Sequence, residues 1–217
     1  MTGAEAVIAA ARGYLGLKES PPYSNNVIFN TKYYGRAVSG DAYPWCAVFV
    51  WYVFDAVGLG PLYYGGGKTA SCTVLMNWAK SKGRFVSKNF NPGDLIFYNF
   101  GKTNGLAEHI GICTAVKSSS VRTVEGNTGA GSNSDGGEVM ERERVFGYVL
   151  GAYRPDYPAA MPGGAESDEG EEDEDMAIRY NTVAELPSWA LSTVKKLIAK
   201  GLLKGSGAHD RRHNLPA

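Results

Sequence analysis

The chain has 217 residues and a mass of 23.3 kDa, and its 44% hydrophobic content suffices to bury a core, which excludes wholesale disorder. Lys and Arg number 22 and Asp and Glu number 22, so no basic surface of the kind that binds nucleic acid is indicated. The zero balance hides three blocks: +3 over residues 1–165, −8 over 166–175 and +5 over 176–217. They read as a weakly charged domain over 1–157, an acidic flexible linker over 158–175 and a short helical tail over 176–217.

Residues 1–12 have no basic leader and place Glu5 where an apolar signal core would lie, so they read as a helix and not as an export signal. Small and apolar residues recur at helical spacing from 4 to 15 and stop at Gly16, and Pro21, Pro22 and Ser24-Asn25-Asn26 then enforce a loop. Pro44 opens a second helical stretch over 45–57, closed by Gly58. Its run from Cys46 to Phe54 is uncharged, and a helix apolar almost all round belongs at the centre of a domain. A third helix is expected over 71–82 with Ser71 as its N-cap.

Asn91-Pro92-Gly93-Asp94 is a turn signature, and after it the pattern changes to strand-like runs over 95–100, 109–116, 121–125, 138–145 and 148–153. Three helices followed by consecutive strands predict an α+β fold with an antiparallel sheet. Past the acidic run, Trp189, Val194, Leu197, Ile198 and Leu202 share one helical face. A single amphipathic helix cannot fold alone, so the tail reads as a truncated repeat, a docking helix or an incomplete module. No window approaches the ~20 apolar residues of a spanning helix, and no membrane anchor is expected.

Three cysteines are too few for a disulfide framework, which leaves at least one free thiol. Cys46 falls in the first turn of the apolar helix, where unsatisfied N–H groups and the helix dipole stabilise a thiolate. A cysteine nucleophile needs an imidazole to carry its proton and a polar group to orient that imidazole. His109 opens the strand Ile110-Gly111-Ile112-Cys113, and Glu125 and Asn127 stand two apart on the next one, so in extended chain they would share a face. Cys72 also stands near a helix start, but no sequence partner accompanies it. Cys113 reads as a buried thiol on the His109 face of its strand. His209 and His213 read as part of a solvated tail and not as metal ligands, because two arginines lie between them. Tyr23, Tyr33, Tyr34, Trp45, Tyr63, Tyr64 and Trp78 either line a groove for sugar or peptide or pack in the core.

In order, Pro44-Trp45-Cys46-Ala47-Val48-Phe49-Val50, Asn91-Pro92-Gly93-Asp94-Leu95-Ile96-Phe97, Glu108-His109-Ile110-Gly111-Ile112 and Val124-Glu125-Gly126-Asn127 resemble the successive motifs of the CHAP domain family, the cysteine, histidine-dependent amidohydrolases/peptidases. The resemblance covers residues 1–157. It implies a papain-like α+β fold, N-terminal helices packed on an antiparallel sheet. It also implies a nucleophilic Cys46, a general-base His109, an orienting Glu125 with Asn127 as a polar neighbour, and substrate contacts from Trp45 and Tyr43.

The implied substrate is an amide bond of bacterial peptidoglycan, and the implied activity is that of an N-acetylmuramoyl-L-alanine amidase of a phage lysin. The alternatives are a cross-link endopeptidase, a cysteine amidase acting on a non-wall amide such as a glutathionylspermidine-type conjugate, and a silent wall-binding module. Such a protein is expected to be made in the cytoplasm and to reach the wall after release through a membrane lesion. Some family members bind calcium through an Asp-rich loop before the cysteine. Here residues 39–44 hold only Asp41, so no metal and no other cofactor are expected. Residues 186–205 are similar to the helical half of surface-layer-homology-like repeats, and the basic tail is a candidate contact for anionic wall polymers.

Overall fold

The structure is a computed structural model, and it describes residues 1–101 and 105–161. The chain divides after Glu166, and the described residues belong to the first of the two units. The acidic run, the tail helix, His209 and His213 lie outside the described residues.

Four helices precede the sheet strands that carry the core. They are α1 (Gly3–Arg12), α2 (Ile28–Tyr34), α3 (Cys46–Ala56) and α4 (Cys72–Ser81). A capping box starts α1, with the Thr2 hydroxyl accepting from the Glu5 N–H (3.2 Å) and the Glu5 carboxylate accepting from the Thr2 N–H (2.7 Å). Ser71 caps α4 by accepting from the Val74 N–H at 3.2 Å, as its sequence position predicts. The helix α2 is not among the three helices expected from the sequence, because its seven residues hold too few apolar positions to show a period. Its Phe29 is nevertheless fully buried against Trp45, Phe49 and Tyr52.

The strands are β1 (Phe85–Val86), β2 (Leu95–Tyr98), β3 (His109–Val116), β4 (Ser120–Thr128), β5 (Glu138–Val145) and β6 (Val149–Tyr153). All pairs are antiparallel, in the order β1-β6-β2-β3-β4-β5, so the α+β class read from the chain is the class observed. The two-residue β1 is too short to have carried a strand signal.

Every residue of α3 from Cys46 to Phe54 is buried, between β3 and β4 on one side and α1 and α2 on the other. That is the central position its uniform hydrophobicity demands. The helix can lie this close to β4 because position 126 is glycine: a Cβ there would stand 2.6 Å from Phe49 Cβ and 2.8 Å from Trp45 Cζ3. Thus the segment bearing Glu125 is brought directly against the helix that begins at Cys46. The opposite face of the sheet buries Ile96, Tyr98, Cys113, Val121 and Ala152, so Cys113 is a buried thiol in a second apolar layer.

Candidate active site

Cys46 is the first residue of α3 and His109 the first residue of β3, so both side chains sit where an element begins. Both are buried. His109 Nε2 lies 3.0 Å from Glu125 Oε2, and the hydrogen bond leaves Nδ1 as the ring nitrogen free to serve another group. Nδ1 is buried and has no partner within strict hydrogen-bond geometry, yet the Cys46 thiol is near enough to shift the ring's protonation. The Cys46 contact is therefore looser than the Glu125 bond, as is common in a site without substrate.

Glu125 is fully buried and completely engaged. Oε1 accepts from the Thr123 hydroxyl (2.6 Å) and from Arg144 Nε (3.0 Å), and Oε2 accepts from Arg144 Nη2 (2.6 Å) as well as His109. The Thr123 proton is committed to Glu125, so the Tyr98 hydroxyl, 2.9 Å away, is the donor to Thr123. Gly111 makes room for this arrangement, since a Cβ there would stand 2.7 Å from Glu125 Cγ and 2.8 Å from Thr123 Cβ.

The electrostatics follow from these partners. Burial opposes ionisation of Glu125, but His109 and Arg144 outweigh it and pull its carboxyl down to about 2. Burial likewise disfavours a charged His109, but Cys46 and Glu125 raise it to about 9. The Cys46 thiol is held well below its ordinary value, first by the hydrogen bond from Cys72, against its own desolvation, and then by His109 and the Ala47 N–H. Cys46 and Glu125 as anions, with His109 and Arg144 as cations, make a buried group of four that carries no net charge.

Cys72 corrects the sequence reading, which gave it no partner. Its partner is Cys46: the two Sγ atoms are 3.5 Å apart, and Cys72 is the first residue of α4 as Cys46 is of α3. The proximity pushes the Cys72 thiol well up while lowering Cys46. Cys46 is the thiolate of the two, because it alone also faces the imidazole. The one available signal was that both cysteines open a helix.

Asn127 does not share the Glu125 environment. Its φ of +55° breaks the strand alternation, and the β4–β5 register shifts between Glu125 and Thr128. Among the described residues its amide accepts from the Gly137 N–H (3.3 Å) and approaches Asp135 (3.5 Å), so it braces the 129–137 loop and not the imidazole. Trp45 lies beneath the start of α3, beside Gly126. It is fully buried, packs on Phe29 and donates from its indole nitrogen to Glu19 (3.4 Å). Tyr43 packs edge-on to Tyr34 at 5.1 Å between centroids.

A cavity of about 590 Å³ opens onto both thiols, and Tyr33, Tyr34, Pro44 and Lys68 form part of its wall. Tyr63 is core, with its hydroxyl bound to the Thr69 carbonyl at 2.8 Å, and Tyr64 and Trp78 pack on each other. Another groove, bounded by Lys88, Phe90, Lys117 and Phe146, contains no cysteine or histidine. Among the described residues no group of three or more His, Cys, Asp or Glu is arranged to hold a metal ion. Arg144 escaped the sequence reading because the run Glu141-Arg142-Glu143-Arg144 looks like a solvated face.

A cysteine at a helix start, an imidazole opening a strand and a carboxylate on the adjoining strand are thus joined across the helix–sheet contact. Residues 38–127 match the CHAP domain. The match spans Cys46, His109 and Glu125, supports the CHAP family for this segment, and suggests hydrolase activity on peptidoglycan as an amidohydrolase or peptidase. The α+β architecture is consistent with a papain-like CHAP domain. None of the curated proteins compared with the chain matches it. No described helix is long and apolar enough to cross a membrane.

Proposed function

We propose that the chain cuts an amide bond of bacterial peptidoglycan by cysteine acyl transfer, as an N-acetylmuramoyl-L-alanine amidase of the phage-lysin kind. The observation that carries the reading is the line from Cys46 at the start of α3, through His109, to a Glu125 whose every oxygen is engaged. The Cys46 thiolate attacks the scissile carbonyl carbon, and the backbone N–H at the start of α3 meets the developing oxyanion. The imidazolium of His109 protonates the leaving amine from Nδ1. Neutral His109 then takes a proton from water as the water oxygen attacks the acyl carbon, and collapse of the intermediate releases the acyl group as a carboxylic acid and restores the Cys46 thiolate beside the His109 imidazolium.

Glu125 stabilises the imidazolium and, by holding Nε2, leaves Nδ1 for the proton transfer. The wall polymer approaches through the cavity at Tyr33, Tyr34 and Lys68. Purified peptidoglycan, digested and analysed by mass spectrometry with parallel amine and reducing-sugar assays, tests the reading. Free L-alanine amino termini without new reducing ends support the amidase. Cuts inside the peptide bridges replace it with an endopeptidase, and hydrolysis of small amides without wall fragments moves the substrate away from the wall.

A further inference from the structure

We infer that Cys46 and Cys72 form a reversible peroxide-sensitive pair, in which Cys72 captures an oxidised Cys46 as an intramolecular disulfide and switches the site off. The disulfide itself is independent of the proposed hydrolase activity, whereas the loss of activity rests on that reading.

Three observations converge on the pair. The Sγ atoms are 3.5 Å apart, so a closure of about 1.5 Å reaches the ~2.05 Å of a disulfide. Each sulfur sits on the first residue of a helix, where rotation about the Cα–Cβ bond moves it without disturbing the helical hydrogen bonds. Both line the same cavity of about 590 Å³ while being only 4% and 5% exposed, so peroxide that enters the cavity meets the two sulfurs together. The third cysteine, Cys113, is fully buried in the second apolar layer.

The low-pKa thiolate that the site maintains for nucleophilic attack is also the form that peroxide oxidises. Cys46 sulfur attacks one oxygen of hydrogen peroxide: an S–O bond forms, the O–O bond breaks, and hydroxide departs. Cys72 then loses its proton and attacks the Cys46 sulfur, so that an S–S bond forms, the S–O bond breaks and the departing hydroxide takes that proton to leave as water. Two thiols and one peroxide yield one disulfide and two waters, with sulfur oxidised and peroxide oxygen reduced. A small dithiol reverses the change by exchange. Without Cys72, the sulfenic acid at Cys46 would proceed to the irreversible sulfinic acid.

The test treats the full chain with excess hydrogen peroxide, so that two oxidising equivalents are available to each Cys46, alkylates under denaturing conditions, and measures peptide masses and wall clearing before and after dithiothreitol. The expected result is a Cys46–Cys72 linked peptide lacking two hydrogens, an activity loss of about ten-fold or more, and return of activity with the dithiol. Cys72→Ser should instead accumulate a Cys46 peptide bearing two added oxygens that dithiothreitol does not restore, while Cys113→Ser should behave as wild type. Wild-type Cys46 that remains alkylatable, or reaches the sulfinic acid as readily as in Cys72→Ser, would overturn the pair. A linked peptide in a protein that is inactive even when reduced would uphold the pair and remove the hydrolase reading alone.

Discussion

Arg144 grips Glu125 with two hydrogen bonds, Nε to Oε1 at 3.0 Å and Nη2 to Oε2 at 2.6 Å, and shares Oε2 with His109. The carboxylate therefore serves two cations, and removing it has two separable effects. Glu125→Gln keeps the shape but removes the charge that steadies both the imidazolium and the Arg144 guanidinium, and kcat should fall by about 10²–10⁴-fold together with a loss of stability smaller than that of the alanine variant. Glu125→Ala also strands the Arg144 guanidinium in the core, at a cost of roughly 3–5 kcal/mol in urea unfolding.

The pH dependence of kcat/KM follows from the same charges. Activity should hold over a plateau that begins well below the ordinary thiol value, because Cys46 is already a thiolate there. It should fall on the alkaline side near pH 9, as His109 loses the proton it gives to the leaving group. In Glu125→Gln the alkaline limb should move to lower pH, since the carboxylate is one of the groups that raises the imidazole. The alkylation rate of Cys46 by iodoacetamide, followed across pH, checks the acid limb directly.

Glycine at 126 is a packing requirement. Gly126→Ala would drive a methyl into Phe49 and Trp45, forcing α3 away from β4 and widening the space between Cys46 and the His109–Glu125 pair. The expected cost is about 1–3 kcal/mol in thermal or urea unfolding, with a drop in kcat larger than any change in KM.

Asp94, from the Pro-Gly-Asp motif, does structural work. It accepts from the Asn91 N–H (2.8 Å) and from Arg154 Nε (2.9 Å) and Nη2 (2.7 Å), which fastens the turn before β2 to the end of the domain. It lies at the opposite end of β2 from Tyr98, the residue that pairs with His109. Asp94→Ala should cost about 2 kcal/mol, given that Arg154 is partly exposed, and leave activity per folded molecule unchanged.

The sequence carried the parts of the site that depend on local position. Cys46 at a helix start, His109 at a strand start and Glu125 on the next strand follow from the turn residues and apolar runs around them. What it could not carry depends on where elements meet. Cys72 reaches Cys46 only because α3 and α4 begin at the same cavity, and Arg144 reaches Glu125 only through the β4–β5 register. The shared face expected of Glu125 and Asn127 is interrupted because a left-handed residue and a register shift break the alternation that pure extended chain would keep. The burial of Trp45 is not legible either, because an aromatic beside a cysteine looks the same in sequence whether it faces a groove or fills the core.

The most direct test of the central claim is the release of new amino groups from purified cell walls by wild type and by Cys46→Ala, with both proteins shown to be equally folded by circular dichroism. The account predicts amino termini with wild type and a loss of at least about 10⁴-fold in the variant. Equal release by Cys46→Ala, or no release by reduced wild type from any wall preparation, would contradict it.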